Sequence, residues 1–190
     1  MRKSILAFAF GTAILFTTVS CDRNNDTQIQ NDQDTVALVT EINVTFRKQN
    51  YYAQYEDFKH NINKADNVLI YRLDGIANGK NVWHFIPRTY YVSNADNTAQ
   101  KEIDFNYDFS ISGVTFTIGG TFNKINPENY VVPYLNNQRF RAVIIPGNMA
   151  AKTSKSYNKG GLSSLPVNYQ DYNAVAKYYN IKESDVKMLK

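Results

Sequence analysis

The sequence predicts an all-β fold, an antiparallel β-sandwich with a short C-terminal helical appendage. Three observations carry this expectation. Residues 36–47 and 101–110 alternate apolar and polar side chains with period two. The remaining apolar runs are short and separated by Gly, Pro and Asn pairs. Apolar residues at helical spacing occur only near the C-terminus, and many strands followed by one helix point to a sandwich.

Each element has its own signal. In the first strand Val36, Leu38, Thr40, Ile42, Val44 and Phe46 share one face. Ala37, Val39, Glu41, Asn43, Thr45 and Arg47 share the other, which is expected to be wet. Residues 51–58 are aromatic-rich and read as a second strand. "NVLIYRL" (67–73) is apolar on both faces, as a central strand is. Asp74-Gly75 and Asn78-Gly79 are turn signals. Residues 82–86 and 89–92 read as strands interrupted by Pro87, and "SNADNTAQ" is a polar loop. In 101–110, Ile103, Phe105, Tyr107 and Phe109 face one way, and Glu102, Asp104, Asn106 and Asp108 face the other. Gly113 turns the chain into "VTFTI", and Gly119-Gly120 bends it afterwards. Residues 139–145 form a further strand, closed by Pro146-Gly147. Residues 148–168 have no periodicity and exceed the usual loop length. The helix lies within about 170–190. Asp171 caps it, Tyr172, Val175, Tyr178 and Tyr179 form its stripe, and Ser184 caps a last short turn.

The N-terminus divides the chain before any folding begins. Arg2 and Lys3 precede an apolar run from Ile5 to Val19, too short for the roughly 20 residues of a spanning helix. A basic start, a short apolar core and small residues before a boundary make a secretory signal peptide, residues 1–20. "TVSC" (18–21) is similar to the bacterial lipobox, with Thr18 where Leu is usual. The resemblance implies diacylglycerol on the Cys21 thiol, cleavage before Cys21, and an N-acyl chain such as palmitate on the new amine. One acyl chain binds a membrane only marginally and two hold it stably. Residues 21–35 are then the lipidated cysteine plus a polar tether, and 36–190 the domain. The tether is too polar to bury a core. Asp34-Thr35-Val36 matches an O-glycosylation pattern of Bacteroidetes, with Thr35 the acceptor.

Composition limits the function classes. Discarding Arg2 and Lys3 leaves 19 basic against 17 acidic side chains, so the net charge falls from +4 to +2. That balance, without a clustered basic stripe, implies no nucleic-acid partner. With Cys21 lipidated no thiol remains for catalysis, metal binding or a disulfide. His60 and His84 are the only histidines, and no metalloprotease, nucleophile-elbow or P-loop motif occurs. Asp104-x-Asn106-x-Asp108 imitates an EF-hand, but Phe109 and Thr115 stand where the loop needs Gly and Glu. No catalytic residue, metal or free cofactor is therefore assigned.

Two surfaces stand out as candidates. Tyrosine is abundant, and Trp83, Tyr90 and Tyr91 are the candidate ligand-stacking residues. Glu102, Asp104 and Asp108 make a candidate acidic face. Neighbours such as Glu102 and Asp104 lie about 6.8 Å apart on one strand face, a separation inverting glycosidases also use, though across a bond.

By "NVLIYRLDGIANGKNVWHFIPRTYY", "FNYDFS" and "QRFRAVIIPG" the chain resembles a group of uncharacterised Bacteroidetes lipoproteins. In these a lipobox is followed by a linker, collagen-like in some members, and a β-rich domain. The resemblance implies a lipid-anchored outer-membrane protein with no known catalytic residue. The expected function is a non-enzymatic binding or structural module with an envelope protein or glycan as partner. The alternative is a small glycan-active hydrolase using the surface carboxylates.

Overall fold

The computed structural model describes residues 37–147 and 167–189, which fall within one compact unit. The elements are β1 (Leu38–Val44), β2 (Ala53–Asp57), β3 (Asn67–Ala77), β4 (Lys80–Phe85), β5 (Arg88–Ser93), β6 (Gln100–Phe109), β7 (Gly113–Gly120), α1 (Val132–Leu135), β8 (Gln138–Ile145), α2 (Tyr172–Tyr178) and β9 (Lys187–Met188). They form the expected β-sandwich. A five-stranded sheet runs β4-β3-β8-β1-β9, and a four-stranded sheet runs β2-β7-β6-β5. All pairings are antiparallel except the short β1–β9 pair.

The period-two patterns place the core. Ile42, Val44, Val68, Ile70, Phe140 and Ala142 of the larger sheet meet Ile103, Phe105, Val114, Phe116 and Ile118 of the smaller one. At the centre Phe116 stacks on Phe140 with ring centroids 4.4 Å apart, while Phe46 and Phe105 meet Phe140 edge-on. Turn chemistry closes the hairpins. Asn78 and Gly79 both adopt positive φ, 51° and 73°, as a two-residue hairpin loop requires. Asp74-Gly75, expected to be a turn, is instead a bulge inside β3. The reason is that a two-residue hairpin has one tip, and Asn78-Gly79 occupies it. Gly120 sits at φ 124° with its Cα against the Glu102 carbonyl, where a Cβ would lie 1.9 Å from that oxygen.

The C-terminal helix is more than an appendage. Asp171 caps α2 as expected, its Oδ1 accepting from the Asn173 and Ala174 N–H groups. Tyr172, Val175 and Tyr179 then pack on the outer face of the larger sheet with Ala37, Val39, Leu69, Tyr71, Trp83, Val143 and Ile145. Two of the expected features change as a result. The supposed wet face of β1 is buried at Ala37, Val39 and Glu41, because the helix covers it. Tyr178, at the edge of the stripe, remains exposed. Ser184 is no cap either: Asp185 accepts the Lys182 N–H at the 3-10 turn Glu183–Asp185.

A charged cluster lies beneath this layer. Glu41 and Arg141 are paired across β1 and β8 and are 3% and 1% exposed. The Arg141 guanidinium donates to Glu41, to both Glu183 carboxylate oxygens (2.8 and 2.9 Å) and to the Tyr172 hydroxyl, and lies 4.3 Å over the Trp83 ring. Arg139 donates to the second Glu41 oxygen. Burial alone would lower the Arg141 pKa, but hydrogen bonds to Glu183 and Glu41 hold it above its ordinary value. Breaking a buried pair strands a charge, so Arg141→Ala is expected to cost about 3–5 kcal/mol in urea unfolding. The hydrogen bonds from Arg141 also hold the Glu183 carboxyl below the ordinary glutamate range. Its contribution is therefore present above about pH 4.3 and is lost as pH falls from there through the lower folded pKa. Glu183→Gln is expected to flatten the acid side of the stability–pH curve, read as urea midpoints from about pH 6 to pH 3.

Candidate functional site

The residues singled out from the sequence fall into separate places. The signal peptide, Cys21, the tether, Thr35 and residues 148–166 lie outside the described residues.

Trp83 points from β4 into the layer under α2, 8% exposed, with Tyr172 at 6.0 Å and the Arg141 guanidinium over its ring. Its faces are taken, so it does not offer a stacking surface. Tyr90 is turned the other way, into the sandwich. Its ring and those of Phe105 and Tyr134 surround the buried Arg72 guanidinium at 4.8, 4.6 and 5.5 Å. Arg72 also donates to Gln138 (2.9 Å) and Asp74 (3.0 Å). Burial raises the Tyr90 phenol pKa, and Arg72 opposes it. Tyr91, the next residue on β5, stands on the outer face and is 64% exposed. The three aromatic candidates thus occupy three different surroundings.

Glu102, Asp104 and Asp108 do share one face. It is the outer face of the four-stranded sheet, where Tyr91 pairs with Glu102, Thr89 with Asp104, and Thr115 with Asp108. Asp104 accepts a 2.6 Å hydrogen bond from the Thr89 hydroxyl. Its other β-strand neighbour is Gly119. The carboxylates stand side by side along one face of β6, not on facing walls, among the described residues.

The histidines do not converge. His60 is exposed in the connection after β2, while His84 on β4 has Nδ1 3.5 Å from Asp74 and 3.4 Å from the Tyr90 hydroxyl. Among the described residues no three His, Cys, Asp or Glu side chains converge to hold a metal ion.

A cavity of a different character lies where the sheets part. Val68, Ile144 and Leu38 form one row across β3, β8 and β1. Their exposure rises along it from 0% through 7% to 56%. The interior thus continues past the point where the smaller sheet covers it. The hollow there has a volume of about 740 Å3, within the range of small-molecule sites. Leu38, Phe58, Ile144, Met188 and Leu189 supply apolar lining, and Lys59 and Lys187 also border it. The C-terminal segment forms one wall. The Leu189 N–H donates to the Glu41 carbonyl and the Thr40 hydroxyl to the Lys187 carbonyl. The sequence placed Leu38 on the apolar face of the first strand and residues 187–189 in the C-terminal helical appendage, with Lys187 at the dipole end of a last turn; here Lys187–Met188 is instead a short strand against β1. Their proximity joins residues nearly the whole domain apart, which no local pattern encodes.

No family model, curated protein or solved structure matches this chain.

Trp83 is the only tryptophan, so its emission reports on the docked helix. Tyr172→Ala is expected to shift that emission to longer wavelength and raise iodide quenching. Tyr91→Ala, on the other sheet's outer face, leaves both unchanged.

Proposed function

We propose that this protein is a lipid-anchored lipoprotein of the cell envelope, attached to the outer membrane through Cys21, whose β-sandwich is a non-enzymatic binding module. The observation that carries the binding reading is the apolar hollow between β1 and the C-terminal segment. It is large, mostly apolar and bordered by a few polar groups, as binding pockets are.

The anchor reading rests on Arg2-Lys3, the short apolar run and "TVSC" before a polar stretch. Similarity to the Bacteroidetes lipoprotein group agrees with it. The hydrolase alternative draws less support from the geometry. General acid–base work on a glycosidic bond needs carboxyl groups flanking the bond, and Glu102, Asp104 and Asp108 are neighbours on one open strand face. That face, with Tyr91 beside Glu102, suits contact with a protein or glycan surface better than turnover.

Mass spectrometry of the N-terminal peptide tests the anchor. In the native host the peptide is expected to begin at Cys21 and carry diacylglycerol plus an N-acyl chain. Cys21→Ser is expected to leave an uncleaved precursor that retains residues 1–20 and carries no diacylglycerol. A wild-type chain with a free Cys21 thiol would remove the lipoprotein reading. Turnover of a glycan panel, lost in Asp104→Ala, would replace the binding module with the hydrolase.

A further inference from the structure

We infer that the hollow beside β1 is a site for a single-chain fatty carboxylate, with the alkyl chain on the apolar wall and the carboxylate held by Lys59 and Lys187. This rests on reading the domain as a binding module and names the ligand class of that module.

The apolar half of the argument is the uncovered row. Leu38 continues the inter-sheet core from Val68 and Ile144, yet it is 56% exposed. Met188, on the facing C-terminal segment, is 45% exposed, and Phe58 and Leu189 complete the lining. Phe58 and Ile144 belong to the buried core and Leu189 packs against it, so Leu38 and Met188 are the apolar side chains left exposed beside a volume of about 740 Å3. An elongated apolar group would remove Leu38 and Met188 from water.

The charge balance selects the head group. Three charged residues border the hollow: Lys59, Asp185 and Lys187. The Asp185 carboxylate is engaged locally, Oδ2 accepting the Lys182 N–H at 3.1 Å and Oδ1 the Ser184 hydroxyl at 3.1 Å. Neither Lys59 nor Lys187 is ion-paired within the described residues, whereas Arg72, Lys101, Arg139 and Arg141 are. Lys59 is presented by a left-handed backbone, φ 68°, held by the Asp57 side chain accepting the Lys59 N–H. Lys187 is fixed by the β1–β9 pairing. An ammonium is a flexible point charge with three donors, suited to a carboxylate at the mouth of an apolar site. A cationic amphiphile would meet two like charges there, and a neutral one would leave them unused.

The test uses the chain from residue 21 to 190 with Cys21→Ser, which omits the lipid and keeps every residue of both cores. The probe is 11-(dansylamino)undecanoate, displaced by straight-chain carboxylates of eight to twelve carbons below their micelle concentrations. Affinity is expected to rise about fourfold per methylene, the factor for burying one CH2. Lys59→Glu with Lys187→Glu is expected to weaken dodecanoate about tenfold or more, while dodecyl maltoside changes less than about twofold. Leu38→Asp is expected to abolish binding of both without lowering the melting temperature, since Leu38 is half exposed. Lack of saturable binding by natively melting protein would overturn the inference, as would binding that ignores Leu38→Asp and the lysine variants. A Leu38-dependent dimer in sedimentation would also overturn it, by assigning the hollow to a second copy. If carboxylates fail but whole-cell crosslinking captures a specific partner, this inference falls and the binding-module reading stands.

Discussion

The ion pair between Glu41 and Arg141 is the constraint on which the three-layer arrangement depends. Taking two charges out of water costs several kcal/mol per ion. The cost is offset only because Arg141 finds Glu183 and Tyr172 as well as Glu41, and the Trp83 ring lies beneath its guanidinium. Those partners come from β1, β4, α2 and the turn after it. The pair also sets register. Glu41 stands directly opposite Arg141, so a one-residue slip of β1 along β8 would turn Glu41 into the apolar interior. The same slip would carry Ile42 and Val44 out of the core.

Arg72 poses the matching problem on the inner side of the larger sheet. It is buried among Tyr90, Phe105 and Tyr134 and satisfied by Gln138 and Asp74. Gln138 in turn donates to the Pro133 and Asn136 carbonyls, 2.7 Å each, at the end of α1. The bulge at Asp74 brings that carboxylate within reach of Arg72. Each buried guanidinium thus ties a strand to an irregular segment: Arg141 to the C-terminal turn and Arg72 to the α1 connection. Directional hydrogen bonds do what apolar packing alone does not, since hydrophobic burial has no preferred orientation.

Against these fixed points, the hollow beside β1 is the place where the sandwich is incomplete. Both sheets present apolar rows, but the row through Val68 and Ile144 is covered and Leu38 at its β1 end is not. The C-terminal segment closes one side through the β1–β9 pairing, the Leu189 N–H to Glu41 carbonyl bond and the Thr40 hydroxyl to Lys187 carbonyl bond.

Much of this architecture was legible in the sequence. Alternation in 36–47 and 101–110 identified two strands and their faces, "NVLIYRL" announced a strand covered on both sides, and Asp171 marked the helix start. Each is a local property, because side-chain alternation and capping follow from the chain's own geometry. What covers a face is not local. Ala37, Val39 and Glu41 read as solvent-facing until α2, more than 130 residues on, is laid across them. Trp83 read as a stacking residue until Arg141 and Tyr172 took its faces. Leu38 read as part of an apolar strand face, and its end of the row is left uncovered. The sequence by itself determined the strands and the capped helix. Only the tertiary structure decided which surfaces are free, because burial depends on contacts between residues far apart in the chain.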